Sequence, residues 1–176
     1  LERIAAGRVV EAARFRLEAG RWAARLVAYE EAIAHLERGL ARDKADYDGK
    51  VMDYTTAIRL APEHPAAYYK RGNDRYNDGD FEAAIAHYDE AIRLNPQDAN
   101  VYFKRGDAHD ELQDYAAAIA DYSAALRLDP DNPFTLRYRA LTYGKMDDYP
   151  AAIADYDTLI RLEPDYAEAY YHRGRM

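Results

Sequence analysis

Residues 65–98 read PAAYYKRGNDRYNDGDFEAAIAHYDEAIRLNPQD, and the two segments that follow repeat this pattern at a fixed interval. Gly72 recurs as Gly106, Ala140 and Gly174; Phe81 as Tyr115 and Tyr149; Tyr88 as Tyr122 and Tyr156; Pro96 as Pro130 and Pro164. Every step is 34 residues. A period of that length marks an array of small units, none of which buries its apolar face alone. The unit is a helical hairpin. Ala66 to Asn77 holds no strong helix breaker, and Gly79-Asp80 then punctuates the chain. From Phe81 to Leu94 the residues Phe81, Ala84, Ile85, Tyr88, Ala91 and Ile92 fall at steps of three and four, one stripe of a helix. Asn95-Pro96 ends it, because proline lacks the N–H that a continuing helix needs and disfavours helical geometry in the residue before it.

The order small residue, turn, aromatic, Ala, aromatic, Ala, Pro resembles the tetratricopeptide repeat, a 34-residue helix-turn-helix. Its signature falls on Tyr68, Gly72, Ala84, Tyr88, Ala91 and Pro96. In the next copy it falls on Tyr102, Gly106, Ala118, Tyr122, Ala125 and Pro130, and in the third on Leu136, Ala140, Ala152, Tyr156, Leu159 and Pro164. Where the family usually has Leu before the small residue, this chain has Arg71, Arg105, Arg139 and Arg173, similar to a subset with an Arg-Gly step. The resemblance implies an all-α fold, a right-handed superhelical solenoid of antiparallel helix pairs. The expected organisation is degenerate helical repeats over 1–64, regular repeats over 65–98, 99–132 and 133–166, and a further repeat or capping helix starting at 167–176. First helices are expected over Ala66 to Asn77, Ala99 to Leu112 and Phe134 to Lys145, with a short last one from Ala167. Second helices are expected over Tyr47 to Leu60, Phe81 to Leu94, Tyr115 to Leu128 and Tyr149 to Leu162.

The segment before residue 65 is less regular. Trp22, Tyr29 and Ala32 repeat the spacing of Phe81, Tyr88 and Ala91, yet Trp22 to Tyr47 is only 25 residues, nine short of a period. Two accounts fit. In one, Ala32 to Lys44 is a first helix running straight on from the helix before it, since Arg38-Gly39 resembles Arg71-Gly72. In the other, Phe15, Ala19, Trp22, Leu26, Tyr29, Ile33, Leu36 and Leu40 form one stripe at alternating steps of four and three, a coiled-coil seam offering a homodimer contact.

Totals bound the function. The chain has 176 residues, 49% of them hydrophobic, enough for a sizeable core. A net charge of −8 argues against nucleic acid, which calls for a basic stripe. No apolar run approaches the ~18 residues of a membrane span. With no cysteine there is neither a disulfide framework nor a thiolate metal site, so a soluble protein of cytoplasm or periplasm fits equally. Nineteen Arg against five Lys, with much Ala, point to a GC-rich bacterial source. The chain begins at Leu1 and stops ten residues into a repeat, and so reads as a piece of something longer. The five histidines show no metal-ligand spacing, no glycine loop cradles phosphate, and Asn77-Asp78-Gly79-Asp80 lacks the spacing of a calcium loop. No enzyme, cofactor or metal is therefore expected.

In the family that the chain resembles, first helices line a concave face where partners bind. Those positions fall on Tyr69, Asn73, Tyr76 and Asn77, then Phe103, Asp107, Asp110 and Glu111, then Arg137, Leu141 and Lys145, and last Tyr171. Rings supply contact area at low entropic cost and amides bond a peptide backbone, which suits a protein or peptide segment. A subset of the family grips chaperone C-termini with two Lys, two Asn and an Arg. Here only Asn73 of that pattern is kept, with Tyr69, Lys104, Phe134 and Tyr138 at the other places, which disfavours such a ligand. The recurrent arginines are expected to pair across repeats with Asp53, Asp121 and Asp155. The function expected is an interaction module or scaffold; a recruiting domain of a larger enzyme and a self-assembling structural protein are the alternatives.

Overall fold

A computed structural model describes the backbone of residues 2–42 and 47–176, and the side chains of residue 14 and of residues 16–42 and 49–176. The fold is all-α, a helical-repeat solenoid; among the described residues it consists of nine helices. They divide into an N-terminal unit, Leu1–Glu63, and a C-terminal unit, His64–Met176.

The N-terminal unit pairs α1 (Glu2–Ala41) with α2 (Tyr47–Leu60). At 1.5 Å per residue α1 is about 60 Å long and α2 about 21 Å, so α2 can accompany only part of α1. That part is the C-terminal one. A Cβ on Gly39 would lie 2.6 Å from the Tyr54 ring, and Ala32, Leu36, Tyr54, Ala57 and Ala61 are buried. Asp53, also buried, accepts hydrogen bonds from His35 Nδ1 (2.8 Å), Arg38 Nε (2.9 Å) and Arg42 Nε (2.8 Å). Burial pushes its carboxyl up, but these hydrogen bonds outweigh it and bring the pKa down to about 2. Of the sequence stripe, Leu36 is spent against α2, while Trp22, Leu26, Tyr29 and Leu40 remain exposed. The Phe15 side chain lies outside the described residues.

The C-terminal unit holds three hairpins and a short helix. These are α3 (Pro65–Asn77) with α4 (Phe81–Leu94), α5 (Ala99–Glu111) with α6 (Tyr115–Leu128), and α7 (Pro133–Lys145) with α8 (Tyr149–Leu162), then α9 (Ala167–Arg173). The second helices span the residues expected. Each starts at an aspartate, Asp80, Asp114 or Asp148, whose side chain accepts from the backbone N–H three residues on. The turn before it is a Schellman-type C-cap in which Asp80 N–H donates to Arg75 O, Asp114 N–H to His109 O and Asp148 N–H to Tyr143 O. Its left-handed residue is Gly79 in the first hairpin but Gln113 and Asp147 in the others.

The core of each hairpin is a tyrosine lying against a small residue: Tyr88 on Gly72, Tyr122 on Gly106, Tyr156 at Ala140, all fully buried rings. The arginines beside those small residues pair differently from the sequence expectation. Arg105 binds Asp121 of its own hairpin with two parallel hydrogen bonds (2.8 and 2.6 Å), and Arg139 binds Asp155 likewise (2.8 and 2.7 Å). The planar guanidinium has a further N–H, and it is this one that crosses to the preceding second helix: Arg105 to Asp89 (2.5 Å) and Arg139 to the Ser123 hydroxyl (2.9 Å). Arg173 reaches Asp157 (2.6 Å) in the same way. In the α3–α4 hairpin His87 takes the aspartate's place. Burial, then the Arg71 and Arg75 charges, hold its imidazole below the usual value.

Candidate functional site

The first helices α3, α5, α7 and α9 adjoin in chain order, because the side chains on their shared face meet directly. The Tyr76 hydroxyl on α3 donates to Glu111 on α5 (3.5 Å), and Lys104 of α5 lies over the Tyr76 ring at 5.5 Å. Phe103 meets the Tyr138 ring of α7 edge-on at 5.3 Å. Asp110 accepts from the Thr142 hydroxyl (2.9 Å) and from Lys145, both on α7. Arg137 donates to Glu168 on α9 (3.3 Å).

Depressions lie on this face. One, of about 230 Å³, sits between α5 and α7 and is lined by Asn100, Phe103, Lys104, Asp107, Phe134 and Tyr138 among others. The second, of about 470 Å³, is lined by Asp110, Glu111, Tyr138, Leu141, Lys145 and Met176 with Thr142 and Gly144. Tyr138 belongs to both.

Not every residue expected to face a ligand is available for one. Asn73 accepts from the Tyr88 hydroxyl (2.8 Å) and Asp107 from that of Tyr122 (3.0 Å), so both serve partly as anchors for core rings. Asp107 is buried and also accepts from Lys104 (3.1 Å); burial nevertheless leaves its carboxyl above the ordinary range. Tyr69 leans on the Tyr88 ring at 6.2 Å. Tyr76 packs edge-on to Phe81 at 5.3 Å, and burial, then Asp107 and Glu111, raises its hydroxyl pKa. Asn77 is exposed at the last turn of α3, and Tyr171 is exposed on α9, where its hydroxyl accepts from Arg175 (2.8 Å). Phe103, Asp110, Glu111, Arg137, Leu141 and Lys145 line depressions or bridge helices on the face.

Sequence reasoning passed over Tyr138, Phe134 and Lys104 as site residues. They stand where a carboxylate-gripping subset has Arg, Lys and Asn; the signal in the sequence is that two of the three are rings one turn apart on one helix.

Leu141 occupies the register of Asn73 and Asp107, so that position offers the third core tyrosine no side-chain acceptor. The Tyr156 hydroxyl is buried without a hydrogen-bond partner, and burial pushes its pKa up to about 12. Removing an unpaired buried hydroxyl relieves its desolvation cost, whereas removing a paired one orphans its acceptor. Tyr156→Phe is therefore expected to raise stability by about 1 kcal/mol, and Tyr122→Phe to lower it by about 1–2 kcal/mol. Urea denaturation of both variants checks this; equal losses would contradict it.

No helix among the described residues is long and apolar enough to cross a membrane, and no group of three His, Asp or Glu side chains among them is placed to hold a metal ion. Two models of the tetratricopeptide-repeat family match the chain, over residues 69–133 and 145–175. No curated protein matches it. Among solved structures, that of the MamA protein is similar at TM-score 0.77 and 24% identity, covering 83% of this chain and 80% of that one. YrrB, described as a TPR protein with an unusual peptide-binding site, is similar at TM-score 0.74 and 18% identity, covering 83% of this chain and 76% of that one. The TPR domain of Arabidopsis OM64 has TM-score 0.59 and 28% identity, covering 63% of this chain and 92% of that one. At identities this low, the resemblance to MamA and YrrB is one of fold.

Proposed function

This chain is a tetratricopeptide-repeat protein, and from that premise we propose that it is an interaction module holding an extended peptide segment on the first-helix face of residues 64–176. The observation that carries this reading is the ring-walled depression between α5 and α7, where Phe103 and Tyr138 meet edge-on and Phe134 is 65% exposed. Exposed rings beside polar groups give contact area with little entropy lost on binding. The basic side chains Lys104, Lys145 and Arg137 of the face are already matched within it, by Asp107, Asp110 and Glu168, and Glu111 accepts from the Tyr76 hydroxyl. A ligand is therefore selected by apolar side chains seated against the rings and by backbone hydrogen bonds, for which Asn100 of the same depression is a suitable partner. YrrB, of the same fold, is described as binding peptide, which supports the class of ligand.

The test is selection of binders from a displayed random-peptide library, followed by titration against wild type and a Phe103→Ala, Tyr138→Ala variant whose helix content is unchanged. Losing two hot-spot rings should weaken binding about 100-fold or more. Moderate salt should change the affinity little. Selected peptides that bind the variant as tightly as wild type would rule the face out.

A further inference from the structure

We propose that two copies of this chain associate through α1, side by side and antiparallel, about a two-fold axis passing between Leu26 and Tyr29. The reasoning rests on the N-terminal unit alone and is independent of the peptide-binding reading. α2 accompanies only the C-terminal part of α1, leaving Trp22 73%, Leu26 60% and Leu40 54% exposed, large apolar side chains on a helix in water. They do not lie at random. With Ala19, Tyr29, Ile33 and Leu36 they run along one line of the helix at alternating steps of four and three, the pattern of a two-helix seam.

The seam is self-complementary. Counted from the point between residues 27 and 28, Leu26 stands as far on one side as Tyr29 on the other, Trp22 as far as Ile33, and Ala19 as far as Leu36. An antiparallel copy therefore places each member of these pairs opposite its mate, large against large near the axis and small Ala19 against Leu36, which α2 already covers. This is the self-complementary arrangement that a two-fold interface demands. The flanking charges agree. The position after the seam residue 15 is Arg16 and the position after Leu36 is Glu37, both exposed, and the same antiparallel register sets Arg16 of one copy beside Glu37 of the other, twice by symmetry. Beside the axis, Leu60, Ala61 and Pro62 at the end of α2 and Trp22, Leu26 and Tyr29 enclose an open cleft of about 680 Å³, which gives the partner's central turn a second apolar wall.

Sedimentation equilibrium of the intact chain from about 1 to about 100 μM is expected to show a monomer–dimer equilibrium. Leu26→Glu should give a monomer, and Arg16→Glu should weaken association about 10-fold, with recovery in Arg16→Glu, Glu37→Arg. Because the chain has no cysteine, introduced ones report the register without background. A mixture of Trp22→Cys and Ile33→Cys chains is expected to form the mixed disulfide on mild oxidation. A wild type that stays monomeric across this range, or Trp22→Cys cross-linking to itself in preference to Ile33→Cys, overturns the proposal. The cross-linking readout does not depend on whether Leu26→Glu folds.

Discussion

Asp121→Ala is expected to destabilise residues 64–176 by about 3 kcal/mol, seen as a lower urea midpoint with an unchanged slope. Asp121 is buried, and it takes both parallel N–H groups of Arg105 at 2.8 and 2.6 Å. Hydrogen bonding to Asp121 pushes the Arg105 guanidinium's already high pKa further up, against the burial that opposes it. Deleting the carboxylate therefore leaves a cation that cannot discharge itself, with 22% of its side chain exposed and with Asp89 and the Tyr102 ring, 5.7 Å away, as its remaining neighbours. Breaking a buried pair from one side costs about 3–5 kcal/mol, and the low end applies because Asp89 and partial exposure relieve part of the penalty. The double variant Arg105→Met, Asp121→Leu should recover most of the loss, since an ion pair replaced as a whole by apolar groups is often neutral. A double variant that loses the sum of two single losses would show that the pair does not act as a pair.

Gly72→Leu is the second large effect, expected to cost about 3 kcal/mol. A Cβ built on Gly72 would lie 2.5 Å from Tyr88 Cε1 and 2.7 Å from Cδ1, far inside contact distance. The ring cannot swing away. It is fully buried, its hydroxyl is tied to Asn73, and Tyr69 packs on it. The rest of the leucine side chain then has to push α3 off α4. Gly20→Ala is the contrasting case. Nothing lies within 4 Å of its added Cβ, so the helix-propensity gain of about 0.5–1 kcal/mol should appear undiminished in thermal melts. If both substitutions shift stability the same way, close approach to the tyrosine is not what keeps Gly72.

What the sequence displayed plainly was whatever repeats locally. The second helices from Phe81, Tyr115 and Tyr149 could be delimited because an aspartate cap, an apolar stripe and a following proline all recur, and each acts within a few residues. The arginine register was visible, but not its direction. A spacing of 16 residues runs from Arg105 both forward to Asp121 and back to Asp89, and only the guanidinium's geometry decides that the two-pronged bond goes forward. The candidate site was half legible for a similar reason. Register puts Asn73 and Asp107 on the first-helix face, yet says nothing of the tyrosine hydroxyls that reach up from the second helices to occupy them. Phe134 and Tyr138 were hidden because they depart from the repeat; a walled depression arises where α5 and α7 differ, not where they match. Both sequence accounts keep α1 continuous, as it is; what spacing alone leaves open is which residues of its apolar stripe pack within the chain, and only the placement of α2 decides that Leu36 does while Trp22, Leu26, Tyr29 and Leu40 stay exposed.

The Nη1 groups of Arg105, Arg139 and Arg173 reach backward, to Asp89, Ser123 and Asp157 in turn. That gives the array a polarity. As the chain leaves the ribosome, the α5–α6 and α7–α8 hairpins can each close a two-pronged bond before the next element exists, and each is then clasped by the arginine that follows it. Vectorial synthesis adds these clasps one at a time, in the order in which they are needed. The joint at Ser123, held by a neutral hydroxyl where its neighbours use a carboxylate, is the one at which that sequential locking is softest.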